Sequence, residues 1–296
     1  MTNLCNLNGV LVPEEKAVVP VLDRGFLFGD SIYEVAETIG GVPFALPEHL
    51  ERLHASADSL LMRLDFDDRT LSVRIKETLA AAKNPESYVR IIVSRGVGTA
   101  PNIDVAYAQG PCTVVIMVRP RPNLGVGEGH LAFVSRLRND RRALDPASKT
   151  GNYLNNLLGL IEAKNSGAQD AIFLNSAGYV TESSTSNIWM AKDGAVFTPP
   201  LHSGILAGVT RKLIFDCCKQ IGMRCEERDI TRQQLLRAPE VFLSSTLKHV
   251  YPITKIDDQP IGKGQAGTTT LKLAEAFRNF ARRRQVEVYA PAWALV

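Results

Sequence analysis

Long apolar runs are missing from this 296-residue chain. A membrane-crossing helix needs roughly 18 or more consecutive apolar residues, and no stretch approaches that, so no span is expected. The opening residues MTNLCNLNG show no charged start followed by an apolar stretch, so no secretory leader is expected either. Cysteine is sparse: Cys5, Cys112, Cys217, Cys218 and Cys225 make an odd count without C-x-x-C spacing. That argues against a disulfide framework and for a reduced, cytoplasmic protein. The five histidines (His49, His54, His130, His202, His249) include no H-E-x-x-H and no cysteine partner at zinc spacing, so no metal site is expected. GKGQAGTT at 262–269 fails the P-loop pattern, because its lysine directly follows the first glycine and none follows Gly267. No G-x-S-x-G elbow offers a place for a Ser–His–Asp set. A net charge of +3 is too small to argue for nucleic acid, and the basic run ARRRQ at 281–285 reads as a solvated helix end.

What remains is ordinary globular composition, 45% hydrophobic and 22% charged, at a length that suits one large domain or two. GVLVP and KAVVPVLD read as short strands. SIYEVAETIGGVPFAL reads as two strands meeting at the hairpin dipeptide Gly40-Gly41. Leu50, Leu53, Ala57, Leu60 and Leu64 recur at helical spacing behind Pro47, which predicts an amphipathic helix over 47–64. YVRIIVSRG and CTVVIMVRP read as buried strands. The segment 120–130 holds two prolines and three glycines and is the best linker candidate. Beyond it come the strand LAFVSRLR, a helix over 152–165, and strands in DAIFLN and VTESSTSNIWMA. A helix over 208–221 closed by Gly222, the strand EVFLSS and a helix near 268–284 follow. The expected class is α/β (α+β), with an N-terminal domain over 1–119, a linker over 120–133 and a C-terminal domain over 134–296.

Five places carry chemistry. Lys149, in DPASKTGNYLNNLL, stands ahead of a leucine-rich helix pattern, where a lysine is usually only solvated. Glu182 lies among Ser183, Ser184, Thr185 and Asn187, enough polar neighbours to hold an ionised acid beside a cationic ring nitrogen. Gly208, Val209 and Thr210 open a helix whose first-turn N–H groups suit a phosphate, although any helix start has such groups. Ser244, Ser245 and Thr246 end a strand, either as turn chemistry or as further phosphate donors. Arg52 sits beside the 47–64 apolar stripe, where an arginine is usually solvated but could instead reach a phosphate from the stripe's edge.

A lysine, a supported carboxylate and several anion donors together meet the needs of pyridoxal 5′-phosphate. In order along the chain they resemble the class IV (fold type IV) aminotransferases. That family includes D-amino-acid, branched-chain and (R)-amine transaminases together with aminodeoxychorismate lyase. The resemblance runs through DRGFLFGDSIYEV, HLERLHASADSL, SKTGNYLNNLL, DAIFLNSAGYVTESSTSNIW, GILAGVTR and SSTLKHVYPITKID. It implies a two-domain enzyme with a smaller N-terminal α/β domain and a larger C-terminal domain. Lys149 then resembles the Schiff-base lysine and proton shuttle, and Glu182 the acid on the pyridine nitrogen. Arg52, Val209, Thr210 and Thr246 resemble the phosphate cup, Leu206 the side chain against the ring, and Tyr153 the tyrosine near the 3′-oxygen. The implied reaction moves an amino group between an amino acid, of D- or branched-chain type, and a 2-oxo acid by ping-pong half-reactions. An (R)-amine transaminase or a lyase is the alternative, and a homodimer with a shared active site is implied.

Three residues bear on the substrate. Tyr33 would line its side of the pocket. Glu37 would repel a second substrate carboxylate by like charge. The loop 94–110 offers Arg95 but no histidine, where the D-amino-acid enzymes are expected to use both to hold the α-carboxylate.

Overall fold

The computed structural model describes residues 2–122 and 128–296. Contacts divide the chain into two units. The first comprises Met1–Asn123, Ser148–Asn152 and Arg282–Val296, the second Leu124–Ala147 and Tyr153–Ala281. A single cut within 120–133 therefore leaves out two short segments, around Lys149 and at the C-terminus, that pack with the N-terminal residues. The expected linker overlaps 123–127, outside the described residues, and its last residues already belong to a strand that starts at Gly129.

In the first unit β1 (Leu4–Leu7), β2 (Val10–Pro13), α1 (Arg24–Phe28), β3 (Ser31–Ile39) and β4 (Val42–Pro43) come first. The helices α2 (Leu46–Ser59) and α3 (Asp68–Ala82) and the strands β5 (Ser87–Ser94) and β6 (Thr113–Pro120) follow. The strands form one antiparallel sheet in the order β2-β1-β6-β5-β3-β4. Alternation along β3 and β5 sends Ile32, Ala36, Val89, Ile91 and Val93 into a core with Leu50, Leu53 and Ala57 of α2 and Leu71 and Ile75 of α3. Tyr33, Glu37 and Arg90 lie at the alternate positions, on the other face of the sheet. Gly40 and Gly41 make the β3–β4 turn with φ of 63° and 75°, a pair of left-handed values that favours glycine.

One local expectation fails here and one helix is unanticipated, each for a physical reason. KAVVPVLD is no strand: Pro20 lacks an N–H for a ladder, and Val18 and Val21 remain 71% and 69% exposed. The helix α3 escapes the sequence pattern because Ser72 and Thr78 share its buried face with Leu71, Ile75 and Ala82, which dilutes the stripe.

The same core encloses an ion pair. Glu34 on β3 is fully buried and takes Arg52 Nε at 2.7 Å on one oxygen and Arg52 Nη2 at 2.7 Å on the other. His49 Nδ1 also reaches that second oxygen at 2.7 Å. Burial alone pushes the Glu34 carboxyl up, but the Arg52 charge, its hydrogen bonds and His49 outweigh it and bring the group down to about 2. A depressed carboxyl contributes stability that is complete above its unfolded value near ~4.3 and is lost as pH falls through the folded value, here worth about 3 kcal/mol. Between pH 5 and 2, urea unfolding of the native chain is therefore expected to weaken faster than that of Glu34→Gln. The variant starts roughly 3–5 kcal/mol lower at neutral pH, with Arg52 left uncompensated. Parallel pH curves for the two proteins would contradict this.

The second unit begins with β7 (Gly129–Leu137), α4 (Leu154–Asn165), β8 (Asp170–Leu174), β9 (Val180–Ser183), β10 (Asn187–Lys192) and β11 (Ala195–Thr198). Next come α5 (Val209–Gln220), β12 (Cys225–Glu227) and α6 (Arg232–Leu236). The strands β13 (Glu240–Ser245), β14 (His249–Ile256) and β15 (Gln259–Pro260) follow, and then α7 (Thr268–Arg284). A π-helical turn at Gln285–Tyr289 and α8 (Ala290–Ala294) end the chain, back in the first unit. The main sheet runs β12-β11-β10-β13-β14-β7-β8-β9, and β9 pairs back onto β10. Six strands thus close into a ring around Leu131, Ile172, Val180, Ile188, Leu243 and Ile253.

The run VTESSTSNIWMA is two strands rather than one. Ser183 N–H donates to Ser186 O at 2.8 Å, and Ser186 N–H to Ser183 Oγ at 3.1 Å, so the chain reverses within four residues. That reversal sets Glu182 opposite Asn187, at the seam of the ring.

Candidate active site

Lys149 is placed by its backbone. Tyr33 N–H donates to Lys149 O at 2.9 Å, Gly151 N–H donates to Ser31 O at 2.7 Å, and Ile32 bridges to Thr150. The short segment is in effect an extra strip along β3. A side chain at 151 would meet Ser31 Oγ and displace that hydroxyl, so the glycine of KTGN eases the close approach. From there Lys149 Nζ reaches Tyr33 Oη at 3.3 Å and lies 4.4 Å from the centre of the Tyr33 ring. Arg90 Cζ lies 4.1 Å from the same ring centre.

The substrate-side expectations fare unequally. Tyr33 lies beside Lys149. Glu37 is fully buried and ion-paired with Arg121, so its charge is offset locally. Arg95 grips Asp30 with Nε at 2.8 Å and Nη2 at 3.0 Å, and gives Nη1 to Leu61 O and Nη2 to Leu60 O, both at 2.9 Å. The fold thus already employs the donors with which Arg95 would hold a carboxylate.

In the second unit Glu182 is 4% exposed and its carboxylate meets only donors. Oε1 accepts from Arg138 Nε at 3.1 Å and Nη2 at 2.8 Å, while Oε2 accepts from Leu206 N–H at 3.0 Å and Asn187 Nδ2 at 3.3 Å. Arg138, at the end of β7, is itself oriented by Asn156 Oδ1 at 3.0 Å. Asn156 is fixed in turn by donating to Ser184 O at 2.8 Å. Four donors and no acceptor surround this one carboxylate.

Leu206 lies in the loop before α5, and its carbonyl takes a second hydrogen of Asn187 Nδ2 at 3.0 Å. A side chain at Gly208 would strike Asn187, so glycine lets the helix start approach the seam. No side chain caps α5, which leaves the first-turn N–H groups of Val209 and Thr210 for an outside acceptor. Thr210 is buried, Thr246 is half-buried in the β13–β14 turn, and Tyr153 precedes the first residue of α4. Arg52, in the first unit, is the arginine held by Glu34.

Two arginines escape the sequence analysis, and only Arg90 carries a local signal. Arg90 is a lone cation inside the apolar run YVRIIVS. Arg138 ends LAFVSRLR, but its partner is 44 positions away and is found only when the ring of strands closes.

Residues 31–256 match the family model of amino-transferase class IV. This chain belongs to the class IV aminotransferases. It is 32% identical to a D-alanine aminotransferase of Bacillus licheniformis, over 92% of this chain and 95% of that one. A branched-chain aminotransferase from the archaeon Thermoproteus uzoniensis, solved with norvaline, superposes with a TM-score of 0.88 at 30% identity over 97% of both chains. A second branched-chain amino acid aminotransferase, from T.th. and solved with pyridoxamine 5′-phosphate, gives 0.88 at 31% identity over 96% of both. The chain is accordingly a fold type IV, pyridoxal-phosphate-dependent transaminase. Its residues suit that cofactor on chemical grounds. An uncapped helix start accepts a phosphate, a carboxylate ringed by donors accepts a pyridinium, and a lysine backed by a tyrosine ring offers an amine. Among the described residues no helix is long and apolar enough to cross a membrane, and no cluster suits a metal ion.

Proposed function

We propose that this aminotransferase exchanges amino groups between a branched-chain L-amino acid and a 2-oxo acid. When bound, pyridoxal phosphate supplies the electron sink that weakens the bond from the substrate's Cα to hydrogen. Lys149 would anchor the cofactor through its amine and then carry the proton taken from substrate Cα. Glu182 receives the pyridine N–H. Arg52, the Val209 N–H, Thr210 and Thr246 would hold the phosphate, Leu206 would pack on the ring, and Tyr153 would serve the 3′-oxygen side.

The observation that carries the substrate reading is Arg90, a half-buried guanidinium over the Tyr33 ring that Lys149 also touches. We assign it the substrate carboxylate. Glu37, offset by Arg121, no longer argues against a second substrate carboxylate. Arg95 is engaged with Asp30 and the loop 94–110 has no histidine, which disfavours a D-specific carboxylate trap.

The reading includes a homodimer. Arg24 ties the carbonyls of Asn102, Ile103 and Asp104 to α1, and that assembly exposes Phe26, Ile103 and Val105 by 72%, 75% and 63%. An exposed apolar set held in place by an arginine suits a second copy of the chain.

A single-turnover spectral titration of the holoenzyme with L-leucine, D-alanine and (R)-1-phenylethylamine tests the donor. L-Leucine is expected to convert the visible band to the amine form of the cofactor. Conversion by D-alanine alone, or by the amine alone, would overturn the assignment, and a band that none of the three converts would point to the lyase. Arg90→Leu is expected to slow L-leucine by roughly 10–100-fold through loss of a charged hydrogen bond. The effect on any residual turnover of the amine, which has no carboxylate, should be small; equal losses would refute the role of Arg90.

A further inference from the structure

Two serines on α2 reach the segment that carries the lysine. Ser56 is 1% exposed, and its hydroxyl sits between two backbone groups. It donates to Arg52 O at 2.8 Å and accepts the N–H of Lys149 at 3.0 Å, across 93 positions of sequence. Ser59, one turn on, donates to Ser56 O at 2.8 Å and lies 2.6 Å from Ser148 Oγ.

Donor counting fixes the polarity of this clasp. A serine hydroxyl has one hydrogen. That of Ser56 is spent on Arg52 O, so its lone pair faces Lys149 N–H. That of Ser59 is spent on Ser56 O, so Ser148 is the donor to Ser59. Serine in a helix commonly back-bonds to the carbonyl four residues earlier, so the bond to Arg52 alone would mean little. The second bond is different: it ends on the backbone of the residue proposed to anchor the cofactor. With Tyr33 N–H on Lys149 O at 2.9 Å, both backbone polar groups of Lys149 are held, one by α2 and one by β3.

We propose that Ser56 is a positioning residue for Lys149, acting through its hydroxyl. It holds the base of the lysine side chain in the orientation from which the amine is delivered. By the same hydroxyl it ties that base to the turn of α2 that bears Arg52. The proposal rests on the reading of Lys149 as covalent anchor.

The test uses the holoenzyme of Ser56→Ala, Ser56→Cys and Ser56→Thr. Three readouts serve: cofactor content, the pH midpoint of the visible band, and the single-turnover rate with whichever donor the native enzyme accepts. Alanine and cysteine are expected to keep one cofactor per chain, to slow the turnover about tenfold and to move the pH midpoint, since the N–H of Lys149 loses a good acceptor. Cysteine nearly preserves the volume, so it carries the test if alanine destabilises α2. Threonine retains the hydroxyl and is expected to restore both rate and midpoint towards native values. Native rate and midpoint in the cysteine variant would overturn the proposal, as would threonine as impaired as cysteine. Lys149→Ala is the control on the underlying reading. If it keeps the native visible band, Lys149 is no anchor and both readings fall; if it loses the band while the serine variants behave as native, only the Ser56 role falls.

Discussion

Lys149→Ala is expected to lose the visible band of the lysine-bound cofactor and to slow transamination by roughly 10⁴-fold, since the anchor and the proton carrier are one group. Folding should be little affected. The contacts that seat the segment are made by the backbone of Lys149, by Gly151 and by Thr150, and alanine keeps them all. Absorbance spectra and thermal melts of the two proteins side by side check both halves. A variant that melts natively and still turns over within tenfold of the native rate would remove Lys149 from the chemistry.

The second large effect is expected at Glu182. Every neighbour of its carboxylate is a donor: Arg138, Asn187 and the Leu206 N–H. In Glu182→Gln the amide nitrogen would have to face one of them without an acceptor, while the charge opposite the pyridinium disappears. Turnover is expected to fall by roughly 10²–10³-fold, the scale of removing one preorganised electrostatic contact. Arg138→Leu leaves the same carboxylate buried without its cation and is expected to cost about 3–5 kcal/mol of stability. The two variants should also differ in kind: Arg138→Leu keeps the charge and loses its orientation, so its turnover should fall less than that of Glu182→Gln. Turnover in Glu182→Gln within a few-fold of native would contradict the role given to this acid.

Much of the proposed site is legible in local sequence because its parts are local. Lys149 and Gly151 share one tetrapeptide, KTGN, and the glycine leaves room for the Ser31 hydroxyl where the strip meets it. Gly208, Val209 and Thr210 open a helix whose apolar face marks its own start. Glu182 stands out as an acid among hydroxyls, although the sequence does not show the chain reversing at Ser184–Ser186 to face it with Asn187. What stays hidden is set by long-range closure. Arg138 becomes the partner of Glu182 only when β7, β8 and β9 lie side by side. Glu37 looks like a repelling charge until Arg121 is found beside it, and Arg95 looks available until Asp30 takes its fork. In each case the residue was visible and its partner was not, so the sign of the local charge could not be summed.

The most direct measurement is to reduce the holoenzyme with borohydride, digest it, and locate the phosphopyridoxyl group by mass spectrometry. Among the chain's 12 lysines, a single modified peptide spanning Lys149 is the expected result. A label on any other lysine, or an enzyme fully loaded with cofactor yet unlabelled, would contradict the assignment of Lys149 as the covalent anchor.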